Sequence, residues 1–207
     1  GLAHLLEHMA FNGSENFPKR KIDEYLTSIG LNLGSDYNAS AGHLTTNYRF
    51  TVPTKNPEHV ETVIKIISDI SHKLTLEPEA FERERKIVEE EWRKQYGNNK
   101  RYFEEIKQYL YKNSIFLNRD PIGKIDVIQN FKYQDVIDYY QKWYQPELMS
   151  VFVIGDIDTD NIENLIKKYF NDIKNTPVKL PDYKIPNYTE NQVFTFQDDE
   201  QTNISFS

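Results

Sequence analysis

The stretch His4-Leu5-Leu6-Glu7-His8 places two imidazoles and a carboxylate within five residues, and its reading organises the rest of the chain. On an α-helix, positions i, i+3 and i+4 share one face. His4 and His8 can then bind one divalent ion side by side, with Glu7 next to the ion's open position. That arrangement suits metal-assisted hydrolysis, in which zinc activates a water and a carboxylate takes its proton. A purely structural zinc site has no need for Glu7 on the same face. The three residues must ride on a helix. The spacing predicts one over residues 2–10, ended by the turn Phe11-Asn12-Gly13-Ser14.

Outward from this helix, helical and extended patterns alternate. Pro18 can start a second helix whose stripe is Ile22, Tyr25, Leu26 and Ile29, with Gly30 as its C-terminal cap. Two strands are predicted over about 31–40 and 44–53. The second alternates Leu44, Thr46, Tyr48, Phe50 and Val52, and the pair reads as a hairpin ended by Pro53. Residues 57–73 carry an apolar face of Val60, Val63, Ile64, Ile67 and Ile70. Pro78 opens a longer helix to about Tyr96. Gly97-Asn98-Asn99 interrupts it, and a Tyr- and Phe-rich helix covers 100–112.

After the turn Asp120-Pro121-Ile122-Gly123 come helices at 124–129 and 133–143, a buried strand at 148–154, and a helix from Asp158 or Thr159 to Phe170. Pro177, Pro181 and Pro186 without periodicity mark 174–191 as a linker. Val193, Thr195 and the stretch from Asn203 to Phe206 have strand character, as the start of a truncated second domain over 192–207. The expected fold class is α+β, an antiparallel or mixed sheet packed by several helices. Residues 1–173 make its first domain. The chain opens at Gly1 directly into the motif helix, so an N-terminal strand is expected to precede it in a longer protein.

Composition removes several classes. The chain has 207 residues, 38% of them hydrophobic and 14% aromatic, enough for a packed core. Its net charge of −7 offers no basic footprint for nucleic acid. There is no Cys, so a zinc site here must use His and carboxylates. No apolar run approaches the roughly 20 residues of a membrane span.

A catalytic zinc site normally has three protein ligands and leaves one position for water. The helix after Pro78 offers Glu79, Glu82, Glu84, Glu89, Glu90 and Glu91. At 100° per residue, Phe81, Glu84, Ile87, Val88, Glu91 and Trp92 fall on one face, which is otherwise apolar and predicted to point inward. Glu82, Glu89 and Glu90 lie on the flanks or solvent side among Arg83, Arg85, Lys86 and Arg93, and are explained by local ion pairs. Two carboxylates on an apolar stripe call for a positive partner. The helical wheel does not rank Glu84 against Glu91.

Gly1 to Gly13 closely resembles the active-site helix of the pitrilysin/insulysin metallopeptidases, the inverzincins. The segment from Glu82 to Trp92 resembles their distal acidic helix. The resemblance implies that Glu91 is the third zinc ligand, that Glu84 supports the site from behind the ligands, and that Glu7 is the general base. Leu31 to Val52 resembles the strand pair beside the active site, whose edge takes up substrate backbone. This implies Asn38 and Ala39 as substrate contacts.

Arg119-Asp120-Pro121-Ile122-Gly123 and Trp143-Tyr144-Gln145-Pro146 resemble the bacterial envelope branch, long two-halved zinc proteases of the PqqL type. The implied function is a zinc endopeptidase with one Zn²⁺ per domain, acting on peptides or unfolded polypeptides. A C-terminal half of the same protein would close around the substrate. The implied location is the periplasm or cell envelope. A non-catalytic peptide-binding subunit of the same fold is the alternative. The loop Ser40-Ala41-Gly42-His43-Leu44 departs from the family's usual pattern, and His43, His59 and His72 are left out of the site.

Overall fold

The computed structural model describes residues 1–95 and 98–183. Helix α1 spans Leu2–Met9 and α2 spans Lys21–Ser28. Strands β1, Tyr37–Ala41, and β2, Thr46–Phe50, pair antiparallel with Ala39 opposite Tyr48 and Ala41 opposite Thr46. Six helices follow: α3 (Pro57–His72), α4 (Pro78–Gln95), α5 (Asn98–Leu110), α6 (Ile125–Asn130), α7 (Tyr133–Trp143) and α8 (Thr159–Phe170). The class is α+β, as expected. The expected strands and second domain over 192–207, and the linker beyond residue 183, lie outside the described residues.

The caps follow local chemistry. Asn56 accepts from Glu58 N to start α3 with Pro57 in its first turn, and Asp158 accepts from Asp160 N and Asn161 N to start α8. Gly30, at φ +84°, ends α2 in the left-handed conformation, and Leu31 N then donates to Leu26 O.

Helix α1 is the spine of the domain because its apolar residues reach two cores. Leu5, Leu6 and Met9 pack with Phe81 and Val88 of α4, Ile128 of α6, and Val136 and Tyr140 of α7. Ala10 packs with Ile22, Leu26, Tyr37, Ile66 and Ile70 on the other side. Leu5 and Leu6 are fully buried. Burying such a side chain stabilises by roughly 1.5–3 kcal/mol, so the motif helix is anchored far more firmly than eight residues could be alone.

Two polar devices hold its ends. After α1, buried Asp69 of α3 accepts from Ser14 Oγ at 2.6 Å, Asn16 N at 3.0 Å and Asn16 Nδ2 at 2.8 Å. Before α1, the turn from Asp120 to Gly123 lies against Gly1. Gly123 has φ +88°, and a Cβ on it would sit 2.8 Å from Gly1 Cα.

Three expectations are corrected. The first strand begins at Tyr37 rather than 31, because Asp36 accepts from Asn32 N at 2.8 Å and closes a loop with Gly34 at φ +95°. Ile87 is 45% exposed, so the inward face of α4 is narrower than the helical wheel implies. The buried strand expected at 148–154 does not form. Leu148 ends a 3₁₀ turn, Pro146–Leu148, and Phe152 and Ile154 are 85% and 95% exposed. An apolar run becomes a strand only where its N–H and C=O groups meet a partner, and none lies beside it among the described residues.

Candidate metal centre

Helix α1 presents His4, Glu7 and His8 toward α4 and the hairpin. The imidazoles meet edge to face, with ring centroids 4.8 Å apart. Helix α4 crosses them, and Glu91 Oε2 lies 3.6 Å from both His4 Nε2 and His8 Nε2. Glu84, two helical turns earlier and buried, places Oε2 3.5 Å from His8 Nδ1. The structure thus separates the two carboxylates that the helical wheel left level: Glu91 faces the two Nε2 atoms, and Glu84 stands behind one ring.

The donor set fits zinc. One ligand atom each from His4, His8 and Glu91 lies within 4.8 Å of the others. Tetrahedral zinc with bonds of about 2.0–2.1 Å needs ligand atoms about 3.4 Å apart, close to the separations to Glu91. With Nδ1–H of His8 directed at Glu84, its Nε2 lone pair is free for an ion, the usual carboxylate–histidine–metal relation. His4 Nδ1 and Glu7 Oε2 are buried without a hydrogen-bond partner, and unpaired polar atoms of this kind mark a site built for something further.

Electrostatics agree with a crowded, partly dry site. Burial pushes the Glu7 carboxyl above its usual range; His8 and a hydrogen bond from the Ala41 backbone oppose this, and Glu91 adds to it. Burial and the charge of His8 lower His4. Burial also lowers His8, but the hydrogen bond and charge of Glu84, with Glu91 and Glu7, outweigh it and leave it raised. Glu84 shows the converse. Burial raises it, while hydrogen bonds from His8 and Asn12 and the charge of Arg83 bring it below the usual range.

A cleft of about 380 Å³ opens beside Glu7, walled by His4, Glu91 and Gln95 on one side and by Ala39, Ser40 and Ala41 of β1 on the other. Apart from a single bridge between Leu33 and Tyr37 at its start, β1 pairs only with β2 among the described residues, so from Asn38 to Ala41 its other edge is open along this cleft. Strand alternation puts Ala39 and Ala41 on one face and Asn38 on the opposite one, where it is exposed. Of the two residues expected at the substrate edge, Ala39 lines the cleft, and Asn38 is not among the residues that wall it.

Sequence reasoning gave no site role to three groups of neighbours. Asp120 lines the far wall with Lys100, their charged atoms 2.8 Å apart, and Lys107 also reaches Asp120. Tyr48 of β2 and Tyr144 share a hydrogen bond of 2.7 Å. Asn12 and Arg83 close around Glu84. Each joins residues far apart in the chain, and no local pattern places them at the site. His43 is accounted for structurally: its Nδ1–H donates to Arg119 O at 2.8 Å, and its ring packs on Tyr111 and Phe116.

Residues 1–117 match the family described as Insulinase (Peptidase family M16), and residues 130–207 match the one described as Peptidase M16 inactive domain. A Haemophilus influenzae protein named probable zinc protease PqqL is 34% identical over 189 residues, covering 90% of this chain and 20% of that protein. The crystal structure of the periplasmic protease PqqL from Escherichia coli superposes with a TM-score of 0.85 at 32% identity, over 90% of this chain and 21% of that one. The ferredoxin protease FusC, solved in complex with Arabidopsis ferredoxin, superposes with a TM-score of 0.82 at 30% identity, over 89% of this chain and 20% of that one. The chain spans about a fifth of the length of these relatives.

Proposed function

Because the chain belongs to the insulinase family of peptidases, M16, we propose that it is the catalytic N-terminal part of a zinc-dependent endopeptidase acting on peptides or unfolded polypeptides. The observation that carries this is the convergence of His4 Nε2, His8 Nε2 and Glu91 Oε2 beside a buried, partnerless Glu7 Oε2 in an open cleft. In this reading His4, His8 and Glu91 hold one Zn²⁺ and Glu84 orients His8. When bound there, zinc supplies Lewis acidity and a lowered pKa, about 7, for a water. Glu7 Oε2 takes the proton of the attacking water and returns it to the leaving amine nitrogen.

The substrate backbone adds to the open edge of β1 at Asn38 and Ala39, and the small side chains of Ala39 and Ala41 leave room for it above Glu7. Residues 1–173 are then the zinc-binding domain and 174–191 the link to a second domain. A C-terminal half of the same protein closes over the peptide. The name zinc protease carried by relatives supports the metal, and the periplasmic PqqL supports a location in the bacterial envelope.

Two classes of substitution test this. Glu7→Gln should retain zinc while turnover falls by about 10²–10⁴. His8→Ala or Glu91→Ala should lose zinc and turnover together. Undiminished peptidase activity in Glu7→Gln would remove Glu7 as the base. A wild-type protein that binds zinc and peptide but never cleaves would instead be a peptide-binding module.

A further inference from the structure

Behind His8, on the side away from the cleft, α1 and α4 are joined by a closed ring of polar contacts. Asn12 Nδ2 donates to the His8 carbonyl at 3.0 Å, and Asn12 Oδ1 accepts from Arg83 Nη2. These partners fix the direction of the amide, since only its nitrogen can face a carbonyl and only its oxygen a guanidinium. Arg83 Nε donates to Glu84 Oε1 at 3.3 Å, and Glu84 Oε2 reaches His8 Nδ1 at 3.5 Å. The ring therefore begins at the backbone of His8 and returns to its imidazole.

We infer that Asn12 and Arg83 are positioning residues for the metal, holding the Glu84 carboxylate against His8 Nδ1 so that His8 Nε2 stays aimed at Glu91. The inference rests on the reading that His8 binds zinc. Without the ring, Glu84 Oε1 loses the Arg83 Nε–H, and the carboxylate is held toward the imidazole only by packing and by His8 itself. Arg83 is half-exposed, so solvent screens its charge and leaves it the smallest of the influences that lower Glu84. Its part is geometric, because one planar guanidinium reaches Asn12 Oδ1 and Glu84 Oε1 together, which an ammonium on a flexible stem does poorly. Asn12 is the junction, placed by the turn that ends α1. Partners of this outer kind commonly account for 10–100-fold in metal affinity.

The test is zinc affinity of the intact protein, measured on the apo form by competition with a chromogenic chelator. Asn12→Asp keeps the shape, removes the N–H donor and sets a like charge beside Glu84. Arg83→Gln removes the fork. Each should weaken zinc about 10–100-fold with the apoprotein unfolding midpoint unchanged, and shift the visible spectrum of the cobalt-substituted protein. Arg83→Lys should recover less than half of the logarithmic loss. The double variant should be no weaker than the worse single one, because both act through one carboxylate. Zinc binding within about threefold of wild type in both folded single variants overturns the inference. If Asn12→Asp fails to fold, Arg83→Gln at its half-exposed position decides alone. A wild-type protein that binds no zinc overturns the metal reading itself, which is a separate result.

Discussion

Asp120 shows how a single residue on the cleft wall is set by its neighbours. Burial raises its carboxyl, but the ammoniums of Lys100 and Lys107, at 2.8 Å and 3.3 Å, outweigh this and hold it below the usual carboxylate range. A folded-state pKa below the unfolded one stabilises above the unfolded value, and the contribution is lost as pH falls through the folded value. The unfolding midpoint should therefore drop on acidification below about pH 4, partly through this residue. Asp120→Asn should flatten that part of the profile while lowering the midpoint at neutral pH. Thermal melts across roughly pH 2–6 would show it, and parallel profiles for the two proteins would contradict it.

At the scale of elements, the hairpin meets Tyr144, the residue that follows α7, through side-chain hydrogen bonds with Tyr48 and Thr46. Tyr48 OH and Tyr144 OH lie 2.7 Å apart, between two rings each packed against a different core. Burial pushes the Tyr144 hydroxyl up to about 12 and Tyr48 well above its ordinary value. Tyr144→Phe keeps the ring against Tyr140 and orphans the Tyr48 hydroxyl, which should destabilise by about 1–3 kcal/mol. Because β2 carries β1, the same change should raise the KM for a peptide more than it lowers kcat. An unchanged KM beside a lowered midpoint would mean the bond stabilises without placing the edge.

The extended segment around Val151–Ile154 is the opposite case, an element without a partner among the described residues. Exposed Phe152 and Ile154, on backbone that no described residue pairs with, form a template for association. The 207-residue chain should self-associate at high concentration, and Phe152→Lys with Ile154→Lys should reduce this in sedimentation velocity. An unaltered distribution would place the contact elsewhere.

At the scale of the whole molecule, the metal reading predicts that zinc is a cross-link between α1 and α4. Free zinc at one hundred times its Kd should stabilise the fold by about 2.7 kcal/mol, and a chelator should remove that gain reversibly. A melting midpoint indifferent to both would argue against binding by the native state. The sequence by itself determined the helices and the chemistry they carry. The spacing His4, Glu7, His8 needs only the 3.6-residue turn to share a face, and the stripes and caps of α2, α3, α7 and α8 are equally local. The helical wheel narrowed the acidic helix to Glu84 and Glu91, and resemblance ranked them.

The tertiary structure alone decided which nitrogen each carboxylate faces, that Ala39 and Asp120 line the cleft and Asn38 does not, that Tyr144 meets Tyr48, and that Asn12 and Arg83 close around Glu84. It also decided that 148–154 is not a strand among the described residues. The physical reason is the same throughout. Helices are closed by hydrogen bonds within a few residues, whereas ladders, helix crossings and long-range charge pairs depend on segments that meet only when the chain has packed.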